Sequence, residues 1–118
     1  MSLTMYQYPK CGTCRKAKKY LEEHGISFTE KNIAEEPPSR RELEELIQKS
    51  GLPIKKFFNT SGQKYRTLGL SQKLKEMSAE EMLDLLASDG MLIKRPILTD
   101  GEKVTVGFKE DQYKEMWG

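Results

Sequence analysis

Cys11 and Cys14 are the only cysteines in this 118-residue chain, and Gly12-Thr13 separates them. They follow an apolar-aromatic run, Leu3-Thr4-Met5-Tyr6-Gln7-Tyr8, and precede a helical pattern, Arg15-Lys16-Ala17-Lys18-Lys19-Tyr20-Leu21. A C-x-x-C pair between a strand and a helix can close a small disulfide and reopen it, so the spacing points to thiol–disulfide exchange. The thiolate is the nucleophile. Cys11 falls at the helix N-terminus, where unpaired amide hydrogens and the positive end of the helix dipole favour negative charge. Lys10, Arg15 and Lys16 are expected to add positive potential there. Cys11 should therefore ionise below the free-thiol value of about 8.5 and attack, and Cys14, one turn further in, should resolve the mixed disulfide. Three plainer readings compete: two inert buried thiols, half of a zinc site, or a permanent staple. The zinc reading lacks ligands, because His24 is the only histidine and no second cysteine pair exists. A staple would close so short a loop that it barely constrains the unfolded chain. This chemistry needs no organic cofactor and no metal.

The elements that hold the pair can be read from pattern. Leu3 to Tyr8 reads as a strand that Pro9 ends, since proline cannot donate to a ladder. The helix after the cysteines should stop near His24-Gly25, with His24 a C-terminal residue rather than a catalytic base. Ile26 to Ile33 reads as a second strand, completing a parallel β-α-β unit. Beyond Pro37-Pro38, Ser39 and Glu42 form a candidate capping box for a helix carrying Leu43, Leu46 and Ile47 and ending at Ser50-Gly51. A short helix is expected over Pro53 to Phe58, a turn at Asn59-Thr60-Ser61-Gly62, and irregular chain from Tyr65 to Leu70. Another short helix follows on Leu70, Leu74 and Met77. Ser78 caps a further helix that carries Met82, Leu83, Leu85 and Leu86 and closes at Asp89-Gly90. Two β-prone runs flank Asp100-Gly101 as a hairpin, and Lys109 to Trp117 reads as a last helix. Phe57, Phe58 and the methionines read as core, and Trp117 as a terminal anchor.

The order is β-α-β, several helices, then β-β-α. The expected fold class is α/β: a single thioredoxin-like, glutaredoxin-type domain over 1–118, with a mixed four-stranded sheet and a helical insertion at about 37–92 between its halves. In such a domain a proline starts the strand facing the active cysteine, commonly after a cis bond. Pro96 is then a substrate-positioning residue, and Arg95 directs a planar charged donor at Cys11 or an anionic ligand. The plainer reading leaves Pro96 as a strand start and Arg95 as a solvated charge.

Totals narrow the function classes. The net charge of +2 is too mild to argue for direct nucleic-acid binding, and Lys/Arg alternate with Asp/Glu as on solvated helix faces. No run of about 18 apolar residues is present to span a membrane. No secretory signal pattern is visible, so the expected location is cytoplasmic, where thiols stay reduced and such a pair is reactive.

The residues also carry a resemblance. Tyr8-Pro9-Lys10-Cys11-Gly12-Thr13-Cys14-Arg15-Lys16-Ala17, Phe57-Phe58-Asn59-Thr60, Tyr65-Arg66, Leu92-Ile93-Lys94-Arg95-Pro96-Ile97 and Val106-Gly107-Phe108 resemble the arsenate reductase (ArsC) family, in the group that also holds Spx-type transcription regulators. The resemblance implies a thioredoxin-like fold with a helical insertion and a redox-active Cys11, with Cys14, Arg95 and Pro96 beside it. It implies a cytoplasmic thiol–disulfide oxidoreductase served by a thiol reductant, either a low-molecular-weight thiol or a thioredoxin- or glutaredoxin-like protein. The alternatives are a redox-sensing regulator that binds the C-terminal domain of the RNA polymerase α-subunit, with Gly51 and Arg95 on its interaction surface, and an arsenate reductase. The family's arsenate reductases hold the oxyanion with three arginines. Arg95 matches one, while Asn59 and Phe108 stand where the other two are expected, so arsenate would lose most of its charge-assisted contacts.

Overall fold

Strand β1 (Thr4–Gln7) becomes the centre of the sheet because strands pair with it on both sides. In the computed structural model, which describes residues 3–60 and 62–117, the sheet order is β2-β1-β3-β4. Here β2 is Thr29–Asn32, β3 Ile97–Thr99 and β4 Val104–Val106. β2 runs parallel to β1, whereas β3 is antiparallel to both β1 and β4. Helix α1 (Gly12–Glu23) makes the parallel crossover, and α6 (Glu110–Trp117) follows β4. This is the mixed, thioredoxin-like sheet that the element order predicts.

Strand side chains alternate between faces, and here they feed two cores. Tyr6, Ile97 and Val104 join the larger core with residues from the helices between β2 and β3. Met5 and Leu98 point the other way, into a smaller core with Ala17, Tyr20 and Leu21 of α1 and Tyr113 of α6. β2 is shorter than expected. Its four residues are polar and partly or fully exposed, as suits an edge strand, and the apolar residues that signalled it, Phe28 and Ile33, flank it. The ladder still extends to Ile33, whose N–H donates to the Gln7 carbonyl at 2.8 Å.

The segment between β2 and β3 contains α2 (Arg40–Ser50), a 3-10 turn (Ile54–Phe57), α3 (Gln63–Thr67), α4 (Leu70–Lys73), a 3-10 turn (Leu74–Glu76), α5 (Ala79–Ser88) and a last 3-10 turn (Gly90–Leu92). The chain expected to be irregular after Tyr65 is thus partly helical. No residue of α3 is buried, so no apolar stripe existed to reveal it. A turn closes where Gly62 N–H donates to the Asn59 carbonyl at 3.0 Å; Ser61, read as part of that turn, lies outside the described residues.

Both expected caps form complete capping boxes: Ser39 with Glu42, and Ser78 with Glu81. Each serine oxygen accepts an N–H that would otherwise lack a partner. Ser39→Ala and Ser78→Ala should each lower stability by about 1 kcal/mol. Urea unfolding measures this, and an unchanged midpoint in both variants would show that the caps contribute nothing.

Candidate active site

The turn after β1 decides where Cys11 sits. Its N–H donates to the Tyr8 carbonyl at 2.9 Å, and its extended backbone makes it the N-cap of α1. Its sulfur takes the place a serine oxygen usually takes in a cap, accepting the Cys14 N–H at 3.4 Å. Both cysteines are free thiols; Cys11 is half-exposed and Cys14 is buried, with 3% exposure. Burial alone pushes the Cys11 thiol up. Hydrogen bonds from the Cys14 side chain and backbone, and the Arg95 guanidinium, outweigh it and hold Cys11 below its ordinary value. Burial pushes the Cys14 thiol up to about 12, and the Cys11 sulfur beside it pushes the same way. The environments therefore move the two thiols in opposite directions, Cys11 toward the thiolate and Cys14 toward the thiol.

Arg95 is placed by contacts that reach across the larger core. Asn59 N–H donates to the Leu92 carbonyl at 2.8 Å, and Lys94 N–H to the Phe57 carbonyl at 2.7 Å, on either side of a Phe58–Ile93 bridge. Next comes a cis Arg95–Pro96 bond. The Pro96 carbonyl accepts the Gly107 N–H at 2.8 Å, which ties the start of β3 to the end of β4. Arg95 Nη1 donates to the Met91 and Ile93 carbonyls, both at 3.4 Å. Its guanidinium carbon lies 5.1 Å from the centre of the Tyr8 ring, a cation–π arrangement. Its buried Nε makes no hydrogen bond among the described residues.

A cavity of about 400 Å³ opens at Cys11, a volume suited to a small ligand. Thr13, Asn59, Lys94, Arg95, Val106, Gly107, Phe108 and Lys109 line it. Among the described residues its lining has three cations and no carboxylate side chain. A larger cavity of about 520 Å³ lies on the helical segment, lined by residues including Leu68, Leu85 and Leu92. It holds no thiol, so chemistry rather than volume assigns the site.

The fold places Cys14 and Arg95 beside Cys11, and Pro96 follows Arg95 through the cis bond. Lys10, Arg15 and Lys16 are exposed, Arg15 Nε donates to the Pro9 carbonyl at 3.1 Å, and the cation that acts on Cys11 is Arg95. Sequence reasoning missed Lys109 as a lining residue and Tyr8 as the support of Arg95. For Lys109 the only local signal was its place just after Val106-Gly107-Phe108. His24 caps the far end of α1, about 20 Å along the helix from Cys11, and stacks on Tyr20 with ring centres 4.0 Å apart. Among the described residues no three His, Cys, Asp or Glu side chains are placed to hold a metal ion, and no helix is long and apolar enough to cross a membrane.

The ArsC family model matches residues 6–116. The chain belongs to the ArsC family. It is 71% identical to the uncharacterized protein YusI of Bacillus subtilis over 99% of both chains. It is 37% identical to the regulatory protein MgsR of the same organism, covering 97% of this chain and 89% of MgsR. The crystal structure of an ArsC family related protein from Bacteroides fragilis superposes with a TM-score of 0.94 at 47% identity, covering 98% of this chain and 97% of that one. Asn59 and Phe108, the two departures from the family's arginine pattern, both line the Cys11 cavity of this ArsC-family chain beside Arg95.

Because Arg95 stabilises the thiolate, Arg95→Met should raise the Cys11 pKa. The pH profile of Cys11 alkylation, measured in a Cys14→Ser background, should then move to higher pH, with slower alkylation at neutral pH. A profile that stays in place would remove Arg95 from the site.

Proposed function

We propose that this chain is a cytoplasmic thiol–disulfide oxidoreductase in which Cys11 attacks a disulfide and Cys14 resolves the mixed disulfide. The observation that carries this reading is the division of labour between the sulfurs: a half-exposed Cys11 held below its ordinary pKa at the N-terminus of α1, and a buried Cys14 whose N–H already reaches it. Pro96 positions the substrate, and a thiol reductant, low-molecular-weight or protein, regenerates the pair. Supplied with a disulfide and a thiol reductant, the protein should turn over. No turnover with any disulfide would overturn the reading.

The cavity's charge supports a preference among substrates. Lys94, Arg95 and Lys109 face a space with no carboxylate side chain, so disulfides bearing carboxylates should react faster than cationic ones. Glutathione disulfide and cystamine provide the comparison. Lys109→Glu should cut the rate with the anionic disulfide by about three- to tenfold, and added salt should narrow the gap. Equal rates for both substrates at low salt would refute the preference.

Similarity to MgsR favours a second reading, a redox-sensing regulator that contacts the C-terminal domain of the RNA polymerase α-subunit. Its test is binding of that domain by reduced and by oxidised protein. Arsenate reduction has weaker support, because one guanidinium faces the cavity where three are expected.

A further inference from the structure

Resolution requires Cys14 to give up a proton, yet burial holds that thiol up at about 12. A second cavity, of about 290 Å³, reaches Cys14 and shares no lining residue with the Cys11 cavity. Its charged lining residues are Arg15 and Lys18 from α1 and Glu30 from β2; Gln7 adds a polar group from β1. Two features of the fold put Glu30 there. Met5 and Glu30 are register partners in the parallel β1–β2 pair, so both side chains take the sheet face that α1 covers. Lys18 follows Cys14 by four residues and so lies one turn along the same helix face. Its Nζ is 2.9 Å from Glu30 Oε1, and Glu22 also acts on it. Arg15 Nε is engaged by the Pro9 carbonyl. Among the described residues Glu30 is the one carboxylate lining the space.

We propose that Glu30 accepts the Cys14 proton, through water in this cavity, when the mixed disulfide is resolved. A water occupies about 30 Å³, so the space admits several between the thiol and the carboxylate. The Cys14 S–H bond breaks and its proton passes by water to Glu30. The Cys14 sulfur then bonds to the Cys11 sulfur as the bond from Cys11 to the substrate sulfur breaks. The bonding electron pair leaves on the substrate sulfur as thiolate. The cysteine pair is oxidised by two electrons, the substrate disulfide is reduced to two thiols, and Glu30 returns its proton to solvent. This step rests on the oxidoreductase reading above.

The test uses an aromatic disulfide whose thiolate product is coloured. Mixed with reduced protein, it should release one equivalent on attack by Cys11 and a second on resolution by Cys14. In Glu30→Gln the first phase should be unchanged and report an intact fold. The second should slow by about tenfold or more near neutral pH and become proportional to hydroxide, whereas the wild-type second phase levels off. Added acetate should restore part of the rate. Lys18→Met breaks the same ion pair but leaves the carboxylate, so its second phase should remain close to wild type. Two results overturn the proposal: a second phase that Glu30→Gln leaves unchanged across the pH range, or an equal loss in Lys18→Met with no rescue by acetate, which would reduce the pair to a structural tie. A missing first phase in the wild-type protein is a different result; it removes the oxidoreductase reading and this step with it.

Discussion

Cys11→Ser should abolish disulfide turnover, and Cys14→Ser should stop the same reaction halfway. The two variants differ because the sulfurs are not equivalent. Cys11 is the half-exposed thiol, held acidic by Cys14 and Arg95 against the opposing effect of burial. A serine hydroxyl in its place stays protonated at neutral pH and does not attack sulfur, so the rate should fall on the order of a thousandfold or more. Cys14→Ser retains the attacking thiolate and the backbone N–H at 3.4 Å that steadies it. Attack should proceed and release one thiol, but nothing remains to displace the substrate fragment from Cys11. Mass spectrometry of Cys14→Ser after exposure to a disulfide should show one adduct, whereas the wild type should show an internal disulfide and none. If Cys11→Ser keeps its turnover, or Cys14→Ser cycles like the wild type, the assignment of roles fails.

How much of this could be read before folding depends on whether a residue's partners lie near it in sequence. The pair at Cys11 and Cys14 is local: a short run, a proline and a helical pattern place it, and the structure has them so. The capping boxes at Ser39 and Ser78 are equally local. The charge that acts on Cys11 is not. Sequence proximity pointed to Lys10, Arg15 and Lys16, but all three side chains are exposed. The effective cation comes from Arg95, brought in by the antiparallel pairing of β3 with β1. The Arg-Pro step was legible only through the family pattern. Lys109 was missed because its relevance depends on where the chain leaves β4. Helix α3 was missed because it buries nothing, and the Met5–Glu30 register that brings Glu30 beneath α1 could not be known until the boundaries of β2 were fixed.

Gly90 is the strongest case of a residue whose pattern suggested one role while the fold gives it another, and it carries the largest expected effect on stability. In sequence, Asp89-Gly90 reads as a helix stop, and the helix does end at Ser88. Gly90 is not among the positive-φ glycines. Its requirement is space: a Cβ there would sit 2.0 Å from the Ile33 carbonyl oxygen and 3.4 Å from Pro37 Cβ. Ile33 cannot withdraw freely, because its N–H is bonded to β1 at Gln7. The segment after Gly90 is equally tied, through Leu92 to Asn59 and Lys94 to Phe57. Gly90→Ala should therefore cost about 3 kcal/mol or more, a large part of the roughly 5–15 kcal/mol that holds a domain folded. Gly12→Ala is the control. A Cβ there meets nothing within 4 Å, so urea unfolding should move it by no more than about 0.5 kcal/mol. Equal midpoints for the two variants would show that the Ile33 carbonyl yields easily. Where the Gly90→Ala protein remains folded, the strain should be felt next at Arg95, five residues on and fixed by the same tie to Phe57, and the Cys11 alkylation profile should shift toward higher pH as it does in Arg95→Met.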